Sequence, residues 1–150
     1  MRAHERVGPQ RGRLNDASGR FRAALDAPSI ESPEGDHEWC TAVAAALADL
    51  QDAWQAHVRF TEEEDGLFEE LLLDNPELAA PEVDHLRRDH AVVSVAMNRA
   101  GELLGAEGAG PGEAKLRDSL TAVAKQVDAH RKRGYALLSN VYSVDPTGGG

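Results

Sequence analysis

The sequence predicts an all-α protein folded as an up-down-up-down antiparallel four-helix bundle. Three observations carry that expectation. Apolar residues recur at helical steps, no alternating apolar and polar run is long enough for a strand, and β-branched residues are sparse. Three Pro- or Gly-rich breaks cut the chain into four stretches. Within the stretches the apolar stripe alternates three- and four-residue steps, an average of about 3.5 residues, which is the seam of a left-handed bundle.

The first stretch, roughly 10–27, carries the weakest stripe, Leu14, Ser18, Phe21 and Leu25. Residues 1–9 precede it as a basic segment expected to be flexible, because Gly8-Pro9 opposes a regular helix. A loop from Ala27 to Gly35 holds Pro28 and Pro33. The second stretch, 36–74, carries Val43, Leu47, Leu50, Trp54, His57 and Thr61, and its Ala44, Ala45, Ala46 and Ala48 suit close helix packing. Asp74-Asn75-Pro76 ends it. The third, 81–104, reads Val83, Leu86, His90, Val93, Met97, Ala100 and Leu104. Gly105 to Gly112 is a glycine-rich loop, and the fourth stretch, 112–143, reads Leu116, Leu120, Val123, Val127, His130, Gly134, Leu137 and Val141. The bundle therefore spans 10–143, and 144–150, ending in three glycines, is expected to be a disordered tail. Short connections between such helices make each the antiparallel neighbour of the next.

Composition narrows the function. At 150 residues and 16.1 kDa the chain suits a single domain. A net charge of −10 opposes binding to nucleic acid or to an anionic membrane surface. The single cysteine, Cys40, excludes a disulfide framework and a Cys-based zinc knuckle. No apolar run approaches the roughly 20 residues of a membrane span, and no secretory signal opens the sequence. The expected location is the cytoplasm. The charge is uneven: residues 1–22 hold six Arg against Glu5 and Asp16, while eight acids fall between Glu62 and Glu77. An Arg-to-Lys ratio of 13 to 3 suits a GC-rich bacterial source.

His57, His90 and His130 each replace an apolar residue within a stripe, on three different helices. The plain alternative for each is a core imidazole with its own hydrogen-bond partner. A shared metal would satisfy all three at once, and an unpartnered buried polar group costs about 1–3 kcal/mol. Height along the bundle is a test. His90 and His130 differ by four residues, about 6 Å, when counted from the loop between their helices. An unbroken second helix would set His57 eight residues, about 12 Å, from the level of His90. A turn at Glu64-Asp65-Gly66 removes the mismatch. The geometry thus predicts a helix break near Gly66 and a short separate helix, Leu67–Leu73.

Metal held by imidazoles in a bundle core also draws carboxylates. Glu62 lies five residues after His57, which rotates it about 140° away on a regular helix. It joins the site only through a local distortion such as a π-bulge. Glu64, seven residues on, lies on the stripe, and a solvated acidic turn explains the whole Glu62–Asp65 run equally well. A calcium loop is unsupported, because Thr61 and Leu72 fill positions that require acids.

Three segments, HVRFTEEEDGLFEELL from His57, LRRDHAVV from Leu86 and DAHRKRGYALL from Asp128, resemble the hemerythrin-like (HHE cation-binding) family. The resemblance covers most of 36–143. It implies an antiparallel four-helix bundle with non-haem iron, one or two ions, between the helices. His57, His90 and His130 match ligand positions, and Glu62 matches the bridging carboxylate approximately. Two positions depart from the pattern: Gly134 stands where a carboxylate is usual, and the first helix lacks its histidine. His4 is the one candidate for the latter, and Gly8-Pro9 sets it outside that helix. Three His and one Glu suffice for one divalent ion, iron or zinc, with an open position. The resemblance implies O2, NO or peroxide as ligand and a role in sensing or iron handling.

No reaction-specific constellation is present, since Ser119 and Ser139 have no His-Asp partner at helical spacing. The chain therefore reads as a binding protein rather than an enzyme, and Cys40 beside Trp39 as structural. Two alternatives stand beside the metal protein. One is a metal-free bundle that contacts another protein. The other is a transferase resembling the DinB-like bundles, which usually pair two histidines four residues apart, whereas His85 and His90 are five apart.

Overall fold

The stripes become helices. The computed structural model describes residues 2–27, 32–106 and 113–142, and no strand occurs among them. A 3-10 turn, Ala3–Arg6, leads into α1 (Val7–Asp26). There follow α2 (Pro33–Glu62), α3 (Leu67–Asp74), α4 (Pro76–Ala106) and α5 (Glu113–Tyr142). The expected disordered tail, residues 28–31 of the first long loop and 107–112 of the second lie outside the described residues, while residues 33–35, expected in the first loop, open α2.

Helix ends explain where these bounds differ from the sequence reading. α1 starts at Val7, earlier than residue 10, so residues 3–9 are helical. Pro9 falls in the first turn, where its missing N–H breaks no intrahelical bond. α4 starts at Pro76 rather than Pro81. Asn75 caps it by accepting from the Leu78 N–H at 3.3 Å, and Pro81, in the second turn, removes only one bond. α2 is capped by Ser32, whose hydroxyl accepts from the Gly35 N–H at 3.0 Å, with Glu34 and Asp36 in the first turn facing the positive end of the dipole.

The break near Gly66 is present. α2 stops at Glu62 with the Glu63 N–H bonded to the Arg59 carbonyl at 2.9 Å. Asp65 takes a left-handed φ of 59°. Gly66 then packs so closely that a Cβ would sit 2.7 Å from the Phe60 carbonyl oxygen and 2.8 Å from that of Glu63. Glycine is required there, and it turns the chain into the short α3.

α1 packs on α2 and α5, α4 packs on α2 and α5, and α3 lies against α4, α2 and the N-terminal turn. Two apolar clusters result. The larger holds Leu14, Phe21, Leu47, Leu50, Trp54, Met97, Leu120 and Val127. The smaller holds Phe60, Leu67, Phe68, Leu71, Val83, Leu86 and Leu138. Burying one such side chain contributes about 1.5–3 kcal/mol. The stripe of α1, weakest in the sequence, is fully buried through Leu14, Ser18, Phe21 and Leu25. No helix among the described residues is long and apolar enough to cross a membrane.

Candidate metal centre

The two apolar clusters meet at a polar layer. His57 from α2, His90 from α4 and His130 from α5 converge there, and one ring nitrogen from each lies within 4.8 Å of the others. Ring centroids are 5.3 Å apart for His57 and His90, 5.1 Å for His57 and His130, and 4.8 Å for His90 and His130. The break at Gly66 brings His57 to this level and lets α3 close the end. Trp54 meets all three rings at 5.0–5.6 Å on one side. Phe68 of α3 stacks on His90 on the other, at 5.5 Å and 10°. Trp54 is anchored by its indole N–H, which donates to Ser94 Oγ at 3.0 Å.

Carboxylates set the tautomers. Glu62 Oε2 lies 2.5 Å from His90 Nδ1, and Asp89 Oδ2 lies 3.1 Å from His130 Nδ1. A carboxylate only accepts, so each Nδ1 carries the proton and each Nε2 keeps its lone pair. His90 Nε2 is buried and has no hydrogen-bond partner. His130 Nε2 lies 3.0 Å from His57 Nε2, so without an ion His57 donates its Nε2–H to it. Burial holds the His57 imidazole well below the ordinary histidine range, aided by its neighbours His130 and His90. Burial likewise pushes His130 down to about 4 and lowers His90, overriding the Glu62 carboxylate beside it. All three rings are therefore neutral near pH 7, the state a metal ligand needs.

The structure brings together all four residues expected at the site, but Glu62 plays another part. α2 remains a regular α-helix to its last residue, Glu62, with no π-bulge. From that end the side chain meets Nδ1 of His90 and does not join the cluster of ring nitrogens. Thr61, four residues after His57, turns its hydroxyl to the carbonyls of His57 and Val58. Glu64 is exposed. Asp89 is not among the ligand positions expected from the sequence, although it is the acid of the acid-His pair in LRRDHAVV, and that adjacency to His90 is the signal that marks it. His85 stands outside the trio at 3.5 Å from the other oxygen of Asp89.

His4 also stands apart. Its N–H and its Nδ1 both meet Glu70 Oε2 of α3, at 2.9 and 2.8 Å, and its ring stacks on Tyr142 at 4.1 Å. Cys40 is half-buried against the larger cluster. Gly134 leaves open space, since a Cβ there would meet nothing within 4 Å.

Two ligands of one ion with metal–nitrogen bonds of about 2.0–2.1 Å sit no more than about 4.2 Å apart. The His57–His130 pair, at 3.0 Å, is inside that limit, and a separation of 4.8 Å, the widest within the trio, would have to close by about 0.6 Å to reach it. Its donor set of three neutral imidazoles, two of them backed by carboxylates, suits a divalent transition metal. Comparison with protein-family models, with curated proteins and with solved structures gives no match.

Proposed function

We propose that the chain is a hemerythrin-like metal-binding protein, an up-down-up-down antiparallel four-helix bundle whose His57, His90 and His130 hold one divalent ion. The observation that carries this reading is the orphaned Nε2 of His90, buried at the meeting point of three imidazoles while Glu62 holds its opposite nitrogen. A buried acceptor left without a partner is destabilising, and an ion satisfies it together with the other two. Non-haem iron is the ion of first choice, zinc the second. An ion held by three imidazoles keeps coordination positions open to a small exogenous ligand, and O2, NO or peroxide are those the sequence resemblance implies. Sensing or iron handling follows from that, not catalysis.

Reconstitution of the full chain with Fe(II) or Zn(II) under reducing conditions, followed by metal analysis, tests the proposal. About one equivalent is expected, lost in the triple variant His57→Ala/His90→Ala/His130→Ala. Less than a tenth of an equivalent in the wild type refutes it.

A second reading rests on a different surface. Val92, Val95 and Leu103 of α4 are 57, 65 and 41 % exposed. They favour a metal-free bundle that contacts another protein through this helix. That reading predicts that adding Zn(II) or Fe(II) leaves the melting temperature of the wild type unchanged, since no metal bonds form.

A further inference from the structure

Beside the trio lies a partly open cavity of about 50 Å³, lined by residues of α1, α2, α3 and α5 with Leu86 of α4. His57 and His130 form part of its wall. Most of the rest is apolar, and no carboxylate lines it. That is unexpected in a chain with 26 acids against 16 Lys and Arg. Two arginines are among its wall residues, Arg11 from α1 and Arg131 from α5.

Arg11 is only 7 % exposed, and its Nε and Nη1 are buried without a hydrogen-bond partner. Its Cζ lies 3.7 Å from the centre of the Tyr135 ring, another wall residue, so one face of the cation is covered and the group is fixed in place. Arg131 donates from Nη1 to Asp128 at 2.7 Å, yet its Nε is buried and also unpartnered. The other polar side chains of the wall, Gln10, Thr61 and Tyr135, accept no hydrogen bond from those nitrogens. The Thr61 hydroxyl donates to main-chain carbonyls, and the Tyr135 hydroxyl donates to Asn15. Buried cationic N–H groups without acceptors are among the costliest arrangements in a protein interior. An anion drawn from the cavity against these N–H groups would relieve both arginines together.

We propose that this cavity binds a small planar monoanion with a carboxylate-type O–C–O or O–N–O group, held by Arg11 and Arg131 beside His57 and His130. The size sets the class. One water-sized group needs about 10–15 Å³ on this measure, so the cavity takes three or four non-hydrogen atoms, as in formate, nitrite, acetate or bicarbonate. Planarity follows from the fork of a guanidinium, which pairs two N–H groups with two coplanar oxygens. Gly134 is a wall residue at which a Cβ would meet nothing within 4 Å, so it leaves room beside the cavity. Both guanidiniums act whether or not the trio holds an ion, so the site goes beyond the metal reading and stands without it.

Calorimetric titration of the full chain, stripped of metal by a chelator near pH 7.5, tests the proposal with formate, acetate, bicarbonate and nitrite, and with chloride and sulfate as controls. A ligand of three or four non-hydrogen atoms binds no tighter than about 50 μM, so the titrations extend to about 20 mM. At least one planar anion is expected to bind saturably, one per chain, and the series ranks carboxylates against the inorganic anions. Arg11→Met should weaken that anion at least tenfold. Gly134→Glu, which tethers a carboxylate in the same space, should abolish its binding. Four results overturn the proposal: no saturable binding by any planar anion, equal binding by Arg11→Met, unchanged binding by Gly134→Glu, or sulfate and chloride bound as tightly. Repeating the titration on Zn(II)-loaded protein keeps a failure of the metal site distinct, because stripped protein must bind the anion by itself.

Discussion

Metal-free protein taken from about pH 7.5 to pH 5 is expected to lose at least about 2 kcal/mol of stability. The unfolded chain leaves its imidazoles near their ordinary value of 6.5, whereas burial holds His130 at about 4 in the folded state. Between those values the unfolded chain binds the extra proton, so stability is complete above pH 6.5 and falls as the pH drops towards 4. For His130 alone, two such pKa values give a loss of about 2 kcal/mol between pH 7.5 and 5, and about 3 kcal/mol by pH 4. His57 and His90 are lowered by burial too, so they add to the loss in the same direction. The window excludes the depressed carboxylates. Glu70, buried but held down by bonds from His4 and Ala3, and Asp74, held down by Tyr142 and Arg2, start from 4.5 and 3.8, so their contribution is lost only at lower pH. Urea unfolding followed by circular dichroism with a chelator present measures the change. The comparison is His57→Gln/His90→Gln/His130→Gln, which should be nearly flat across the window. A wild-type loss below about 0.5 kcal/mol, or an equal loss in the variant, would show that the trio is not a buried neutral cluster.

Three further outcomes follow from the geometry. Gly66→Ala forces a Cβ against the Phe60 and Glu63 carbonyl oxygens at 2.7 and 2.8 Å and should cost about 1–3 kcal/mol in thermal unfolding; an unchanged melting temperature contradicts the close turn. Glu62→Gln and Asp89→Asn each loosen the tautomer of one histidine and should weaken Zn(II) about 10- to 100-fold in a competition assay with a chromophoric chelator, and affinities equal to wild type would remove the carboxylates from the site. In the Trp39→Phe variant, Trp54 lies 5.0–5.6 Å from all three imidazole rings as the sole remaining indole, so Co(II) should quench its fluorescence while Zn(II) leaves most of it. Equal signals with and without Co(II) would place the ion elsewhere.

The all-α class and the buried stripes were legible in the sequence because helical periodicity is a local signal, repeated along every stretch. The break near Gly66 was legible for another reason: only a turn there reconciles the height of His57 with that of His90. Helix starts were less so. Gly8-Pro9 reads in the sequence as opposing a regular helix and residue 81 as the start of one, whereas a proline in the first turn leaves the intrahelical bonds intact and Pro81 is accommodated in the second turn of a helix that starts at Pro76. Glu62 shows the limit most clearly. Its five-residue spacing from His57 was judged against that residue's own helix face, but its partner is His90 on α4, at 2.5 Å, reached from the end of α2. Spacing reports on one helix, and contacts between helices depend on where each helix stops. Arg11 escaped notice for the same reason, since one arginine among six in the first 22 residues carries no mark of burial until α1 is laid against α5.

Seen from the trio, the charges of this acidic chain are sorted by side. The two carboxylates, Glu62 and Asp89, meet the outer Nδ1 atoms of His90 and His130, while Arg11 and Arg131 occupy the wall of the cavity that His57 and His130 share. Each placement constrains the other. Carboxylates on the outer nitrogens fix lone pairs inward and favour a cation at their meeting point. Guanidiniums on the cavity side would repel that cation unless an anion lay between, and the cavity has room for one of the right size. A metal alone would leave Arg11 unsatisfied, and an anion alone would leave His90 Nε2 unsatisfied. The arrangement is internally consistent when both are bound, so the affinity of each should rise in the presence of the other, by the same factor in both directions. Zn(II) titrations with and without formate, set against formate titrations with and without Zn(II), measure that factor twice, and a factor of one would separate the two sites.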